Sequence, residues 1–595
     1  MFLKVTSAYK GKKYLSYVQG YRDIDGKIKH KTIEKIGYLD DLKLVYNDPI
    51  SHFKAELKKK KLEEPESLSI KSIKSKIITE SDYSKNLGYC FLKYIYNELA
   101  IPEILNEKQT GTKLEYNLNE IFSLLVFSRI LFPDSKKATY ELKNKYFEKY
   151  DFSLNNLYRS LDYFKDFKED LEINFWNLTK DRYNRDITKT YYDCTNYYFE
   201  VEYNDDDIFD KDNNLIKKGY RKRGPEKNHR PAPIVEMGLL MDASGLPIAY
   251  NLFPGNESEK LSLIPEINRL KNKFGVKRTI VVADRGLNCS ENVIKISGLS
   301  FEQSLKMNGY LYGQSVRGAD KEFKDWVLAG GYTESEIIEN GEKIKFIHKS
   351  RVYPKTMYVI REDKGKTKSG NPKKEKVIVD QKQMVYYSQK YADKQKRDRD
   401  KMIEKAKDLI ANPEKYTRAT SYGASGYVKN ISFVDATGEI AKGKELTLDK
   451  SKIEEEKKFD GYYSIVTSEE KLSDIEIRNI YRGLAKIEET FKVTKSLLNA
   501  RPAYVWTPEH IEAHFLTCFV ALLITRILEL KLEKKYSPER IINSLKNYTS
   551  SNIEHDVYLQ SFCDDIIVDC GKIFNINLNR KYLYLSEIKK ILKKV

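Results

Sequence analysis

Three acids, Asp193, Asp284 and Glu488, stand where a carboxylate needs a reason to be. Asp193 lies alone inside TYYDCTNYYFEVEY, a run dense in aromatic and β-branched residues that reads as a strand, and a charge in such a run needs a metal, an ion pair or solvent to compensate it. Asp284 closes the apolar strand RTIVVADRGL, with Arg285-Gly286 directly after it. The tip of a buried strand is a frequent ligand position, and glycine lets backbone or substrate approach closely; the alternative is that Asp284 caps the following turn. Three hard oxygen donors suit Mg²⁺ or Mn²⁺. Two such ions can activate a water or a 3′ hydroxyl and stabilise the leaving oxygen of a phosphodiester, with the acids as ligands rather than as nucleophile.

Glu488 is placed by helical angle. Asn479 to Pro502 reads as one long helix in which Ile480, Leu484, Ile487, Phe491 and Leu498 share an apolar stripe at about 100° per residue. Glu489 falls opposite that stripe and points to solvent. Tyr481, Glu488, Lys492 and Lys495 fall on its shoulder, where a carboxylate can face a cleft beside a phenol and two ammonium groups.

The elements that must position these groups follow in order. Residues 10–39 alternate as strands around an Asp25-Gly26 turn, and with the Lys58 to Lys61 run they give an N-terminal β module and basic linker over 1–75. The run reads first as a solvated face, second as a phosphate contact. Helical spacing dominates 76–186, a helical domain with basic surface lysines at Lys136, Lys137, Lys143 and Lys145. A first part of a core spans 187–309. Its strands include an antiparallel pair at 233–256 joined at Ala243-Ser244-Gly245, and a further short strand near Phe301 to Leu305. A β-rich insertion, 310–465, carries a Gly/Lys loop at 364–376 and a polar helix from about Tyr387 to Ala411. The core resumes at 466–530, and a helical tail with short strands fills 531–595. The basic loop RKRGPEKNHRP offers Arg221, Lys222, Arg223, Lys227 and Arg230 for phosphate contact. The fold class is a mixed α/β multidomain chain.

With 595 residues the chain exceeds one ordinary core, and 41% hydrophobic content marks it as folded. The net charge of +18 favours a polyanion, nucleic acid ahead of an anionic membrane. Six scattered cysteines without a C-x-x-C pair, and no secretory segment, indicate reduced cytosolic thiols. Phe515 to Ile527 is an apolar run too short to span a bilayer and reads as a buried helix. His510 and His514 with Glu512 form HIEAH, one place off a zinc-protease helix and without a third ligand, so packing or DNA-facing histidines are the reading. Asp205 to Asp207, Asp242 and Asp564-Asp565 read as loop or turn acids.

YYDCTNYYFE, the block HRPAPIVEMGLLMDASGLPIAYNLFPGN with VVADRGLN, and YRGLAKIEETFKVTKSLLNARP resemble the three catalytic blocks of bacterial insertion-sequence DDE transposases. More narrowly they resemble the branch whose ribonuclease H-like core is interrupted by a β-rich insertion before the glutamate. That branch carries Tyr, Arg, Glu and Lys on its last helix at spacings of three, four and seven. Tyr481, Glu488 and Lys495 match, and Leu484 stands at the arginine position. The resemblance implies Asp193, Asp284 and Glu488 as catalytic ligands of two Mg²⁺ (or Mn²⁺) ions, with Tyr481, Lys492 and Lys495 on transposon-end phosphate. It implies binding to terminal inverted repeats, cleavage exposing 3′ hydroxyls, and strand transfer into target double-stranded DNA by a homodimer or higher oligomer. The setting is the bacterial cytoplasm, at the nucleoid and without a membrane. Two rivals are a catalytically silent DNA-binding relative and a plain nuclease of the same fold.

Overall fold

Strand β1 (Lys189–Tyr198) is the axis of a nine-stranded mixed sheet. On one side it pairs antiparallel with β2 (Ile234–Asp242), which pairs with β3 (Pro247–Pro254). On the other it runs parallel to β4 (Ile280–Ala283), which runs parallel to β5 (Gly309–Gln314). The first five strands thus lie side by side in the order 3-2-1-4-5. All nine residues of β2 and all four of β4 are buried, as expected of strands covered on both faces. The structure, a computed structural model, describes residues 2–7, 11–22, 28–63, 84–224, 232–298, 308–339, 341–367, 370–418, 420–434, 438–441, 445–554 and 556–595. The Asp25-Gly26 turn and the strand expected near Phe301 to Leu305 lie outside them.

The chain divides into two compact units. The first comprises Met1–Cys90, Asn144–Glu148 and Ser544–Val595, and the second the remainder. In the first, Phe2–Ser7, Lys13–Arg22 and Ile28–Tyr38 form an antiparallel sheet, and the Tyr17 hydroxyl donates to the Phe53 carbonyl at 2.8 Å. Lys58 to Lys61, expected in a linker, belong to the helix Pro49–Glu63, which buries Leu57. A second sheet in this unit joins Ser84–Asn86 to Thr549–Glu554, Val557–Gln560 and Tyr582–Tyr584, so the tail is built around strands as well as helices.

The second unit departs from the expected segmentation in two ways. The helices preceding the sheet were expected as a domain of their own. Instead α1 (Leu118–Leu131), apolar nearly all round, packs on the equally apolar Pro508–Lys531 in the same unit as the sheet. Nor do the long strands of the β-rich insertion form a separate sheet, the insertion's own pairing among the described residues being a two-stranded ribbon of Val428–Lys429 with Thr447–Leu448. Strand β6 (Thr333–Glu339) and the long hairpin β7 (Glu342–Lys366) and β8 (Pro372–Tyr387) extend the central sheet through β9 (Tyr462–Thr467), which pairs antiparallel with both β8 and β5. IKFIHKS and TMYVIRE merge into the single strand β7, and the expected Gly/Lys loop at 364–376 overlaps the strands at both ends, which reach Lys366 and resume at Pro372. Met357, Val379 and Val466 of these strands join the same core cluster as Val281 and Tyr192. Shared hydrogen bonding and a shared core make this part of the insertion a widening of the sheet, while Ala406, Leu409, Tyr427 and Ile453 form a small core of their own.

Beyond the strands, α2 (Leu263–Phe274) covers one face and ends on Gly275 at φ 69°, a left-handed cap that glycine adopts without strain. The polar helix is α3 (Gln389–Ala411), capped by the Ser388 side chain. The expected 479–502 helix is three pieces: α4 (Asp474–Arg482), α5 (Leu484–Lys492) and a π-helical turn over Val493–Leu497. The apolar run lies in α6 (Pro508–Lys531), whose 24 residues would suffice by length and composition to cross a membrane; 94% of its apolar window is buried inside the protein. None of the six cysteines is in a disulfide.

Candidate active site

Strand register brings the two aspartates together. Val282 of β4 pairs with Tyr191 of β1, so two residues further along each parallel strand stand Asp284 and Asp193, level with each other and on the same face. Asp193 is half-buried and its Oδ1 accepts the Cys194 N–H at 2.8 Å. Asp284 is exposed just past the end of β4. Its Oδ1 accepts the Gly286 N–H at 2.7 Å, so the turn-capping role and the cleft-facing position coexist.

Helix α5 lies across β1 and brings Glu488 over them. Its apolar stripe is real: Ile480, Leu484, Ile487, Phe491 and Leu498 are all buried. Lys486 ties the helix to the β2–β3 turn by donating to the Ala243 carbonyl at 2.8 Å. Glu489 points away toward Arg526 of α6, 3.3 Å distant, and is half exposed. Asp193, Asp284 and Glu488 line one cleft of about 940 Å³. Neither Asp284 nor Glu488 has an ion-pair partner among the described residues. Among those residues no group of three or more His, Cys, Asp or Glu side chains is disposed to hold a metal ion, so the acids share a cleft without closing a ligand shell.

The helix break has a specific cause. The Tyr191 hydroxyl, on the strand beneath, donates to the Ile480 carbonyl at 3.0 Å, and the Gly483 N–H reaches the same oxygen at 3.0 Å. That carbonyl is the acceptor a continuous helix would offer to residue 484. A Cβ at Gly483 would lie 2.1 Å from the Tyr191 oxygen, so only glycine fits. Gly483→Ala is therefore expected to destabilise the protein by about 1–3 kcal/mol, the usual cost of overpacking, read as a lower thermal midpoint. An unchanged midpoint would refute the close approach, and Tyr191→Phe in the same background should recover part of the loss.

The Tyr481 hydroxyl shares a hydrogen bond with that of Tyr463 at 2.9 Å and packs so tightly on Gly313 that a Cβ there would meet it at 2.4 Å. Burial, then the Tyr463 phenol and the Asp284 charge, hold its pKa far above the ordinary phenol value, so it remains a donor. Lys492 is exposed in the cleft. Lys495, in the π-helical turn, donates to Thr195 Oγ1 and lies 5.3 Å from the Tyr197 ring centroid. π-helical turns are rare and concentrate at functional sites. Leu484 lines the cleft in the place of the family arginine, while Arg482 is turned to Glu339 at 2.7 Å.

Sequence reasoning missed several lining groups. Arg317, Tyr463, Tyr391 and Lys394 come from the insertion and Arg501 from beyond the π-helical turn. Of these only Lys394 had a signal, as part of a basic helix. The lining carries seven Lys or Arg against the three acids, a balance suited to a polyanion. The basic loop contributes less than expected: Arg221 pairs with Asp205 at 2.5 Å, Lys222 with Asp207 at 2.8 Å, and Arg223 donates to the Glu202 carbonyl, none of them in the cleft lining. Lys227 and Arg230 lie outside the described residues. His514 is buried against the Ala500 carbonyl, Glu512 accepts the Tyr220 hydroxyl, and His510 faces Asp162, so HIEAH is a packing motif.

No curated protein matches the sequence. The cryo-EM structure of a piggyBac transposase synaptic complex with hairpin DNA aligns over 86% of this chain and 84% of its own, at 8% identity and a TM-score of 0.32, too loose a likeness to bear on this chain. Residues 3–69 match the model of the N-terminal domain of IS1634 family transposases. Over those residues the chain is similar to the N-terminal domain of an insertion-sequence transposase family.

Proposed function

We propose that this chain is a transposase of the DDE type, with Asp193, Asp284 and Glu488 as its acids. The single observation that carries the reading is that carboxylates from two adjacent parallel strands and the overlying helix open into one basic cleft. The 3-2-1-4-5 strand order, antiparallel across the first three and parallel across the rest, supports a ribonuclease H-like core. An all-carboxylate donor set, without thiolate or imidazole, fits hard divalent cations such as Mg²⁺ or Mn²⁺, and Asp193, Asp284 and Glu488 would hold two of them. Bound there, the ions would supply activation of the attacking oxygen and stabilisation of the leaving one.

The remaining work falls to the chain itself. Lys492 and Lys495 hold the phosphate strand along the helix shoulder, and Tyr481, kept protonated, donates a hydrogen bond to it. Arg501 and Arg285, both in the lining, bring guanidinium groups to a cleft where Leu484 cannot. The substrate is the element's terminal inverted repeat, and the acting species is a homodimer or higher oligomer.

The test is incubation of the full chain with a duplex carrying the element's own end, plus Mg²⁺. Nicks leaving a 3′ hydroxyl, followed by joining to a second duplex, are expected; both should vanish with chelator. Cleavage without joining would assign a plain nuclease, and end binding without cleavage a silent relative.

A further inference from the structure

A second cavity, about 220 Å³, lies beside the cleft and holds two buried cations with no carboxylate on either. Arg129 of α1 is 5% exposed. Among the described residues its guanidinium meets only backbone oxygens, those of Leu498 (3.4 Å), Asn499 (3.3 Å) and Asp134 (3.0 Å), and its Nε has no partner there. Lys136 is 3% exposed, and its Nζ has a single contact, the Nδ1 of His514 at 3.4 Å. His514 Nε2 lies 3.2 Å from the Ala500 carbonyl and must donate to it, which leaves Nδ1 as the acceptor. The only carboxylate in the lining is Asp134, whose Oδ1 accepts the Ser135 N–H.

Two buried cations side by side are unfavourable unless an anion joins them or one gives up its proton. Burial and then the Arg129 charge lower the Lys136 pKa to about 7, and the Cys518 thiol beneath opposes this weakly. Arg501 lines both this cavity and the acid-bearing cleft, so a strand leaving the acids past Arg501 meets the cavity next.

We infer that the Arg129–Lys136 cavity binds a tetrahedral phosphate-type oxyanion, and that its source is a backbone phosphate of the DNA strand running out of the cleft. The first half stands on the cavity alone; the second rests on the transposase reading.

Calorimetric titration of the full chain with sulfate, at constant ionic strength and pH 8, tests the first half. Lys136 is then mostly neutral, and a bound anion raises its pKa, so binding should take up close to one proton, seen by repeating the titration in buffers of different ionisation enthalpy. Lys136→Met should weaken sulfate at least tenfold and abolish the uptake. Equal binding by wild type and variant, or none by wild type, overturns the site. Should Lys136→Met fail to fold, Arg501→Gln at the mouth is expected to weaken sulfate severalfold, and no change there overturns it equally. In the second arm, Lys136→Met should reduce the salt dependence of end-DNA binding by about one phosphate contact. Sulfate loss with an unchanged salt slope would overturn the DNA source and leave a free-anion site. If wild type binds sulfate through Lys136 but neither binds nor cuts DNA, the transposase reading fails while the cavity assignment holds.

Discussion

Glu488→Gln is expected to reduce divalent-dependent cleavage of end DNA by more than about 100-fold while leaving duplex binding within about twofold. Removing an outer partner of a metal ligand already costs 10–100-fold, and the ligand itself should cost more. Asp193→Asn and Asp284→Asn should behave alike, because strand register places them level on one face. Glu489→Gln is the matched control: one residue along, it faces Arg526 of α6 and should cleave as wild type does. Gel assay of nicked product at saturating Mg²⁺ decides the matter. Loss of cleavage in Glu489→Gln with Glu488→Gln active would overturn the assignment of the helix face.

The largest expected loss of stability lies away from the cleft. Asp242 and Arg185 are 0% and 1% exposed, and the Arg185 Nε donates to Asp242 Oδ2 at 2.5 Å. Asp242 Oδ1 also accepts the Gly245 and Leu246 N–H groups of the β2–β3 turn, so the sequence reading as a turn acid describes half of its work. Asp242→Asn keeps a turn acceptor and leaves the guanidinium buried without a counter-charge. The expected cost is about 3–5 kcal/mol, because breaking such a pair from one side strands the other charge. Arg185→Met added to Asp242→Asn should restore at least half, since no buried charge then remains. Urea unfolding of Asp242→Asn, Arg185→Met and the double variant measures this; a double variant as unstable as the sum of the two singles would refute the pairing.

How much of this was legible in the sequence depends on the range of the cause. Asp193 and Asp284 were found because strand alternation and an apolar run ending in an acid are local signals. Glu488 was chosen over Glu489 by helical angle alone. The break at Gly483 was not legible, because it is imposed by the hydroxyl of Tyr191, 289 residues from Ile480 in sequence. Arg221 and Lys222 read as free basic residues, since their pairing with Asp205 and Asp207 is a product of tertiary structure. For the same reason the insertion read as a separate domain: nothing local announces that β9 hydrogen-bonds to β5.

That pairing has a consequence for how the chain comes off the ribosome. β5 is laid down early, and the strand that covers its open edge, β9, follows only after the whole insertion has been made. At roughly 5–20 residues per second its edge N–H and C=O groups stand unpaired for many seconds, a template for any neighbouring strand. The long hairpin β7–β8 is formed by contacts near in sequence and can assemble first, ready to deliver β9 into the gap. A chain with the β7–β8 hairpin shortened is expected to aggregate during synthesis, read as loss of soluble protein, because β5 then lacks the strand that covers its edge.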